Sequence, residues 1–392
     1  MADEGVPTVP TLTLVTGDPF YRLQRAVGLI PRQGLGVRRR AVFYALVTWL
    51  PLAIWAVVMH RAVPGTVPEP LLQHFGIHVR CLLAIPLFIL AEAVVDAVFP
   101  RQLAYFVTSG LIADEVRPAF ERVLSRTRRL RDSWVVWVLL AGLAAASTLT
   151  TGTPTSLHEV EWSAAGGAPA FGFGGDWYRF VSRPLYALLG LAWIWRLVLT
   201  GILLSRLARL DLSLVPTHPD RAGGLGFLEW IPIAFSVVAF AVSAVISSRL
   251  AHEVLYHGMQ LTELRIPAAV LVGALLIILL APLLPFTRPL GLLRRRAMYE
   301  YGDLVGRHGR SVHARWILGR GHVDADLLGA AELGPVIDTI SMYDSVMSMR
   351  PTPIGKRAII AIVLAVGLPL LPVVAMEVPL KEVLLKLLGA LV

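Results

Sequence analysis

Long apolar stretches alternate with shorter polar segments along the whole chain. Seven of them run for about 18 to 24 residues, enough at about 1.5 Å per residue to cross about 30 Å of hydrocarbon. They cover residues 41–60, 77–99, 134–152, 183–205, 227–248, 266–287 and 357–376. The pattern predicts an all-α polytopic transmembrane helix bundle of about seven spans, or of six if the last stretch only dips into the bilayer.

Composition agrees with a membrane protein. Hydrophobic residues make up 56% of the 392 residues and charged residues only 16%, with a mean hydropathy of +0.66. A net charge of +9 would suit nucleic-acid binding in a soluble domain. Here the positive residues lie beside apolar stretches, so we expect them to contact anionic lipids of the inner leaflet and expect no nucleic-acid partner.

The distribution of Lys and Arg predicts an orientation. Of the 36 basic residues, 27 fall on one side of the predicted spans and eight on the other, with Arg196 left inside a span. The positive-inside rule then places the N-terminus in the cytoplasm and the C-terminal tail outside. The predicted organisation is a cytoplasmic arm over 1–40, a transmembrane bundle over 41–287, a cytoplasmic helical segment over 288–356, and a last span with an outer tail over 357–392.

Two polar segments show helical periodicity. In 100–133, Ile112, Val116, Phe120 and Val123 recur at helical spacing among charged residues, which predicts a cytoplasmic amphipathic helix. The tail over 377–392 repeats Leu and Val every three or four residues, opposite Lys381, Glu382 and Lys386. It predicts an outer interfacial helix or a packing surface between subunits, and on the second interpretation the protein is a homo-oligomer.

The densest polar signal is the loop between the fourth and fifth predicted spans. Glycines this close together allow positive backbone torsions and close approach of other chain segments. The functional interpretation is a gate or a substrate-binding turn at the cytoplasmic mouth, and the structural one is a tight linker in which Asp220 caps the fifth helix and Arg221 binds lipid phosphate. The candidate gate or loop residues are His218, Asp220, Arg221, Gly223, Gly224, Gly226 and Glu229.

Three segments of the chain carry a family resemblance. LVPTHPDRAGGLGFLEW, the stretch ending SMRPTPIGKR, and the tail LPLLPVVAMEVPLKEVLLKLL resemble motifs in a group of uncharacterised bacterial multi-span inner-membrane proteins. Together these three segments comprise 48 of the 392 residues. The resemblance implies a multi-pass protein of the bacterial inner (plasma) membrane and carries over no catalytic residue.

Charged residues inside the predicted spans are candidates for a pathway. Arg196 lies about 13 residues into the fourth span, where a charge costs about 3 kcal/mol and usually faces a bundle interior or a water-filled path. Glu92 and Asp96, one helical turn apart on the second span, are its candidate partners. An anion or proton site and a buried pair that fixes packing are equally compatible with this pattern, and Asp96 is close enough to the inner end to be solvated.

No cofactor, metal site or catalytic set is predicted. His252 and His257 are five residues apart, whereas a helical zinc-protease signature needs four. His74 and His78 have the four-residue spacing, but interfacial histidines account for them.

Three hypotheses of function remain. The first is a channel or transporter for an ion or small solute, with anions favoured by a basic mouth and with Arg196, Glu92 and Asp96 on the pathway. The second is an intramembrane enzyme acting on lipid-linked substrates, with His218 and Asp220 as acid–base residues. The third is a scaffold or sensor that binds a protein partner through an exposed apolar patch on 325–348.

Overall fold

The architecture is known from a computed structural model, which describes residues 12–63, 65, 70–149, 161–163, 172–257, 260–318 and 333–375. Within these ranges the chain is all-helical and has no β-strand. The predicted all-α fold class is confirmed. The tail over 377–392 and most of the predicted outer loop lie outside the described residues.

Among the described residues, six helices are long and apolar enough to cross a membrane, which is compatible with an integral membrane protein. The numbering used below counts the ten helices of the described ranges in chain order. The six spans are α2 (Val37–Val58), α3 (Phe75–Thr108), α6 (Phe173–Leu207), α7 (Gly226–Tyr256), α8 (Thr262–Arg315) and α10 (Lys356–Val374). The other four helices are α1 (Pro19–Ala26), α4 (Arg117–Arg131), α5 (Trp134–Ala146) and α9 (Leu333–Met347).

The helix α5 replaces the third predicted span and is only 13 residues long. The positions of the neighbouring helices still require the chain to cross the bundle between α3 and α6. Ser213 after α6 donates to the carbonyl of Leu111 after α3, so the two helices end on the same face of the bundle. The start of α6 instead packs at Gly172 and Gly174 against Trp55, near the end of α2. The segment from 109 to 172 must therefore return to the opposite face, and α5 is its apolar part.

We call the end of the bundle that carries residues 109–133, 208–225, 288–318 and 333–355 the basic face. The predicted amphipathic helix over 100–133 is partly wrong there. Residues 100–108 continue α3 without a break at Pro100, and a turn through Gly110, whose φ is +75°, separates them from α4. The helix α4 buries Phe120, Leu124, Thr127 and Arg131 against the bundle.

The cytoplasmic helical segment predicted over 288–356 contains a helical hairpin. The spanning part of α8 passes through a short 3-10 turn at Ala281–Phe286, where Pro282 and Pro285 interrupt α-helical hydrogen bonding. The helix then continues past the bundle to Arg315, and α9 packs along it. The chain returns to the bundle through residues 349–355 before α10.

The predicted cytoplasmic arm over 1–40 has its described part folded into the bundle. Residues 12–36, which we call the N-terminal segment, bury Leu12, Leu14, Val15 and Asp18 almost completely. On α1, Phe20 stacks on Trp137 of α5 with ring centroids 5.6 Å apart. The described part of the predicted arm therefore packs against the bundle, a contact that the sequence pattern did not indicate.

Candidate functional site

The charge inside the fourth predicted span is paired. Arg196 on α6 is 1% exposed. Its Nη1 atom lies 2.9 Å from Glu92 Oε1 on α3, and its Nη2 atom lies 3.1 Å from Asp18 Oδ2 in the N-terminal segment. Arg196 and Glu92, expected from sequence only as candidate partners, are thus in direct contact, and Asp18 is a partner that the sequence pattern did not identify.

A second arginine completes the cluster. Arg40, four residues into α2, places Nη1 2.5 Å from Glu92 Oε2 and donates from Nε to the side-chain oxygen of Gln24 at 2.7 Å. Glu92 therefore bridges two guanidinium groups, one through each carboxylate oxygen. We call Asp18, Arg40, Glu92 and Arg196 the ion network. Its two positive and two negative charges cancel, which is how the bundle accommodates four charges away from water.

An aromatic ring also contacts the network. The Arg196 guanidinium lies 4.9 Å from the centroid of the Trp193 ring, at a distance where the negative face of an indole attracts a cation. Trp193 is held in turn by a hydrogen bond of 3.1 Å from its indole nitrogen to the Phe88 carbonyl on α3. The α3–α6 contact thus fixes the direction in which the guanidinium points.

Asp18 reaches the network because it begins α1. It is the N-cap residue, and its Oδ1 atom accepts a hydrogen bond of 2.6 Å from the backbone of Tyr21. Pro19 at the first helical position favours a helix start at this point. The second oxygen, Oδ2, is left to face Arg196. One carboxylate thus caps a short helix and neutralises a charge on a spanning helix.

Two further contacts hold the N-terminal segment in place. Arg131 of α4 donates from Nη1 to the carbonyls of Thr13 at 2.7 Å and Thr16 at 2.9 Å. The Thr16 hydroxyl donates to the Asp96 carboxylate at 2.9 Å. Asp96, a predicted pathway residue, therefore fixes the backbone two residues before Asp18, which is a positioning contact that sequence reasoning did not expect.

The second polar cluster is the glycine loop, residues 216–226. The Asp220 carboxylate accepts hydrogen bonds from the backbone of Ala222 at 2.8 Å, Gly224 at 3.2 Å and Gly226 at 2.7 Å. His218 Nδ1 lies 2.9 Å from Oδ1 of the same carboxylate. Partial burial works to raise the pKa of Asp220, but the backbone donors and His218 outweigh it and the pKa falls below its ordinary value.

Glycine is required at two positions of this loop. Gly224 has a φ of +96°, in the region where a side chain would be strained. At Gly226 a Cβ would lie 2.9 Å from the Asp220 side chain, so the bare backbone lets the carboxylate reach the amide. Gly223, with a φ of +64°, packs under Leu290 and Met349. The Asp220 carboxylate thus fixes the shape of the loop and also accepts a hydrogen bond from the backbone of Gly226, the first residue of α7.

The glycine loop is fastened to the segment before α10. Arg350 donates from its backbone to the Arg221 carbonyl at 2.7 Å and from Nη2 to the Asp220 carbonyl at 2.9 Å. The Glu229 carboxylate lies directly against Gly355, where any side chain would collide with it. Two of the segments that carry the family resemblance, 214–230 and 348–357, are therefore in contact. Sequence reasoning missed Arg350 as a member of this cluster.

The histidines near the opposite face are separated into two environments. The rings of His74 and His252 stack with centroids 5.5 Å apart. His78 instead accepts a hydrogen bond of 2.8 Å from the Trp49 indole. Among the residues that the structure describes, no group of three or more His, Cys, Asp or Glu side chains could hold a metal ion.

Neither polar cluster is explained by a known relative. The chain matches no protein-family model, no curated protein and no solved structure. A functional assignment therefore depends on the geometry of these two clusters.

Proposed function

We propose that the protein is a channel or transporter for a small anion, and that the observed arrangement is its closed state. The observation that carries the proposal is the origin of the second carboxylate on Arg196. That carboxylate comes from Asp18, on a short segment outside the six spans. In this proposal the Asp18 carboxylate occupies the position where a permeant anion would bind, and opening requires the N-terminal segment to move away from Arg196.

The charge balance of the ion network supports an anion as the ligand. Without Asp18, Arg40 and Arg196 face a single carboxylate, Glu92, and the site carries one net positive charge. The guanidinium fork of Arg196 is suited to carboxylates and oxyanions, because it offers parallel N–H donors. A site of this kind would bind an anion in the position that Asp18 Oδ2 occupies.

The electrostatics of the whole chain are consistent with the same ligand. A surplus of basic residues at one mouth raises the local concentration of anions there. With that mouth cytoplasmic and the protein in a bacterial inner membrane, as expected from sequence, the anion would reach the site from the cytoplasm. In this proposal the gate is the N-terminal segment, while the glycine loop, held by Arg350, is a fixed structural element and not the gate.

The test is anion flux into liposomes containing the full-length protein. Asp18→Asn removes the negative charge that the N-terminal segment places against Arg196. We therefore expect chloride or acetate flux to rise at least about fivefold over wild type. Arg196→Gln in the Asp18→Asn background should abolish that gain. Asp114→Asn, which neutralises an exposed carboxylate on the basic face, is the matched control and should leave flux unchanged. Flux that stays at the empty-liposome level in both wild type and Asp18→Asn would overturn the proposal.

A second candidate function, a scaffold for a protein partner, is favoured by one observation. The hypothesis requires an exposed apolar patch on 325–348. On α9, Ile337 is 71% exposed, Ile340 43% and Met347 39%. Cross-linking from a photoreactive residue at 337 would support this role if it captured one cytoplasmic protein, with no capture from exposed Arg307 on α8.

A further inference from the structure

The first spanning helix has one side that no other described part of the chain covers. Along α2, the exposed apolar residues Val42, Leu46, Leu50 and Ile54 recur every four residues and so lie on one face. The opposite side buries Arg40, Tyr44, Thr48 and Leu52 against the bundle. The exposed side therefore faces the lipid.

Two grooves follow this face. The first, of about 740 Å³, lies at the start of α2 and includes Arg38, Arg39, Val42 and Phe43 in its lining. The second, of about 650 Å³, runs along the middle and far part of the helix. Its walls include Leu46 and Leu50 on one side and Phe173 and Trp177 of α6 on the other.

The two grooves follow one another along the surface of α2. The first ends at Val42 and Phe43 and the second begins at Leu46 and Val47, one helical turn further on. The lining also changes character at that point. It contains two arginines before Val42 and only apolar or aromatic residues after it. The groove thus has a basic end followed by an apolar part. This arrangement matches a phospholipid, which has an anionic phosphate in its headgroup and apolar acyl chains.

The arginines at the basic end are available. Arg38 and Arg39 are both exposed, and within the described part of the chain neither guanidinium has an ion pair or a side-chain hydrogen bond. They differ in this from Arg40, which points to the other side of the helix and is committed to Glu92. Two adjacent guanidinium groups at the start of a spanning helix can bind a phosphate in bidentate fashion.

We propose that this groove is a specific binding site for an anionic phospholipid. Its phosphate would bind Arg38 and Arg39, and one acyl chain would lie along Val42, Leu46 and Leu50. A leaflet is about 15 Å deep, or about ten helical residues, so the chain would end near Leu50. The inference does not depend on anion transport, since it concerns the outer surface of α2 and not the ion network.

The test is native mass spectrometry of the full-length protein in detergent, titrated with phosphatidylglycerol or phosphatidylcholine of identical acyl chains. Arg38→Gln with Arg39→Gln should lower phosphatidylglycerol affinity about tenfold and change phosphatidylcholine affinity little. The matched control is Arg295→Gln with Arg296→Gln, an adjacent exposed pair on α8, which should behave as wild type. An equal loss of phosphatidylglycerol affinity in both double variants, or no loss in either, would overturn the proposal.

A second variant tests the apolar part of the groove. Leu46→Trp fills the groove at its centre and should also weaken phosphatidylglycerol binding, whereas Val135→Trp on the lipid-exposed face of α5 should not. The same spectra report the number of subunits. Loss of a dimer in Leu46→Trp with unchanged lipid affinity would show that a second copy of the chain occupies this face, and would contradict the proposal. An unfolding temperature close to wild type in each variant shows that the fold is retained.

Discussion

The ion network and the glycine loop are both polar clusters built around a carboxylate, but their partners differ in kind. Glu92 is neutralised by two guanidinium groups from α2 and α6, more than fifty residues away on either side. Asp220 is satisfied chiefly by backbone amides within six residues of itself. The first cluster holds separate parts of the chain together, whereas the second fixes the shape of one loop. Loss of a carboxylate should therefore have different consequences in the two places.

The largest expected effect comes from breaking the ion network at its centre. Glu92→Gln leaves Arg40 and Arg196 buried with only Asp18 as a counter-charge. Removing one partner of a buried ion pair typically costs about 3–5 kcal/mol of unfolding free energy. Denaturant unfolding in detergent should show that loss, and the same change at exposed Glu121 should cost under about 0.5 kcal/mol. Near-equal effects of the two variants would mean that the network does not hold the bundle.

A smaller loss is expected from the same isosteric change in the loop. Asp220→Asn keeps one acceptor oxygen but turns the other into a donor facing backbone amides, so about 2–3 kcal/mol should be lost. Hydrogen exchange at 222–226 should accelerate while exchange in α3 and α6 stays as in wild type. Asp211→Asn, on the exposed segment before the loop, is the control. Faster exchange throughout the bundle would contradict the local role of Asp220.

The next variant weakens the attachment of the N-terminal segment at a position outside the ion network. Arg131→Gln removes the two hydrogen bonds to Thr13 and Thr16 without touching a charged member of the ion network. We expect a loss of about 1.5–2 kcal/mol and faster hydrogen exchange of residues 13–17. Arg126→Gln, an exposed position on the same helix, should change neither. The interpretation fails if residues 13–17 remain protected in Arg131→Gln.

The smallest effect is a pH dependence specific to the loop. The folded-state pKa of Asp220 lies below the ordinary value of 3.8, so its ionised form adds stability at neutral pH. That contribution begins to fall as the pH drops toward 3.8 and is lost as the pH passes through the lower folded-state value. The stability difference between wild type and Asp220→Asn should therefore be constant above about pH 5 and shrink at lower pH. A difference that grows on acidification would reverse the sign of the inferred shift.

The contrast between the clusters also explains what the sequence could predict. The glycine loop was recognisable because its partners are near neighbours along the chain and glycine has a specific conformational meaning. Of the ion network, Arg196 and Glu92 were recognisable as charges inside apolar stretches. Arg40 was not, because it lies just before an apolar stretch, where a charge looks solvated, and Asp18 was not, because it lies in a polar segment far from any predicted span.

The helices were predictable to different degrees for a similar reason. Apolar length predicted about seven spans, and six of those stretches, the last one included, correspond to helices long enough to span, because a spanning segment has to be long in any bundle. The third stretch, 134–152, contains only the short helix Trp134–Ala146. The sequence also gave no sign that 100–108 continue α3, since the whole of 100–133 was interpreted as one amphipathic helix. Tertiary packing at the basic face decides these boundaries.

The two-sided pairing of Glu92 has a consequence for the order in which the chain is made. At about 5–20 residues per second, α6 follows Glu92 out of the ribosome by several seconds. During that interval Arg40, synthesised earlier, is the only network arginine available to Glu92, so α2 and α3 can enter the bilayer with this one pair neutralised. Arg196 arrives later with its own uncompensated charge, and Asp18, which precedes α2 in the chain, is then the remaining counter-ion. We expect the N-terminal segment to become protected from proteolysis in nascent chains halted after α6 and not in chains halted within it, which would show that this segment docks only once Arg196 is present.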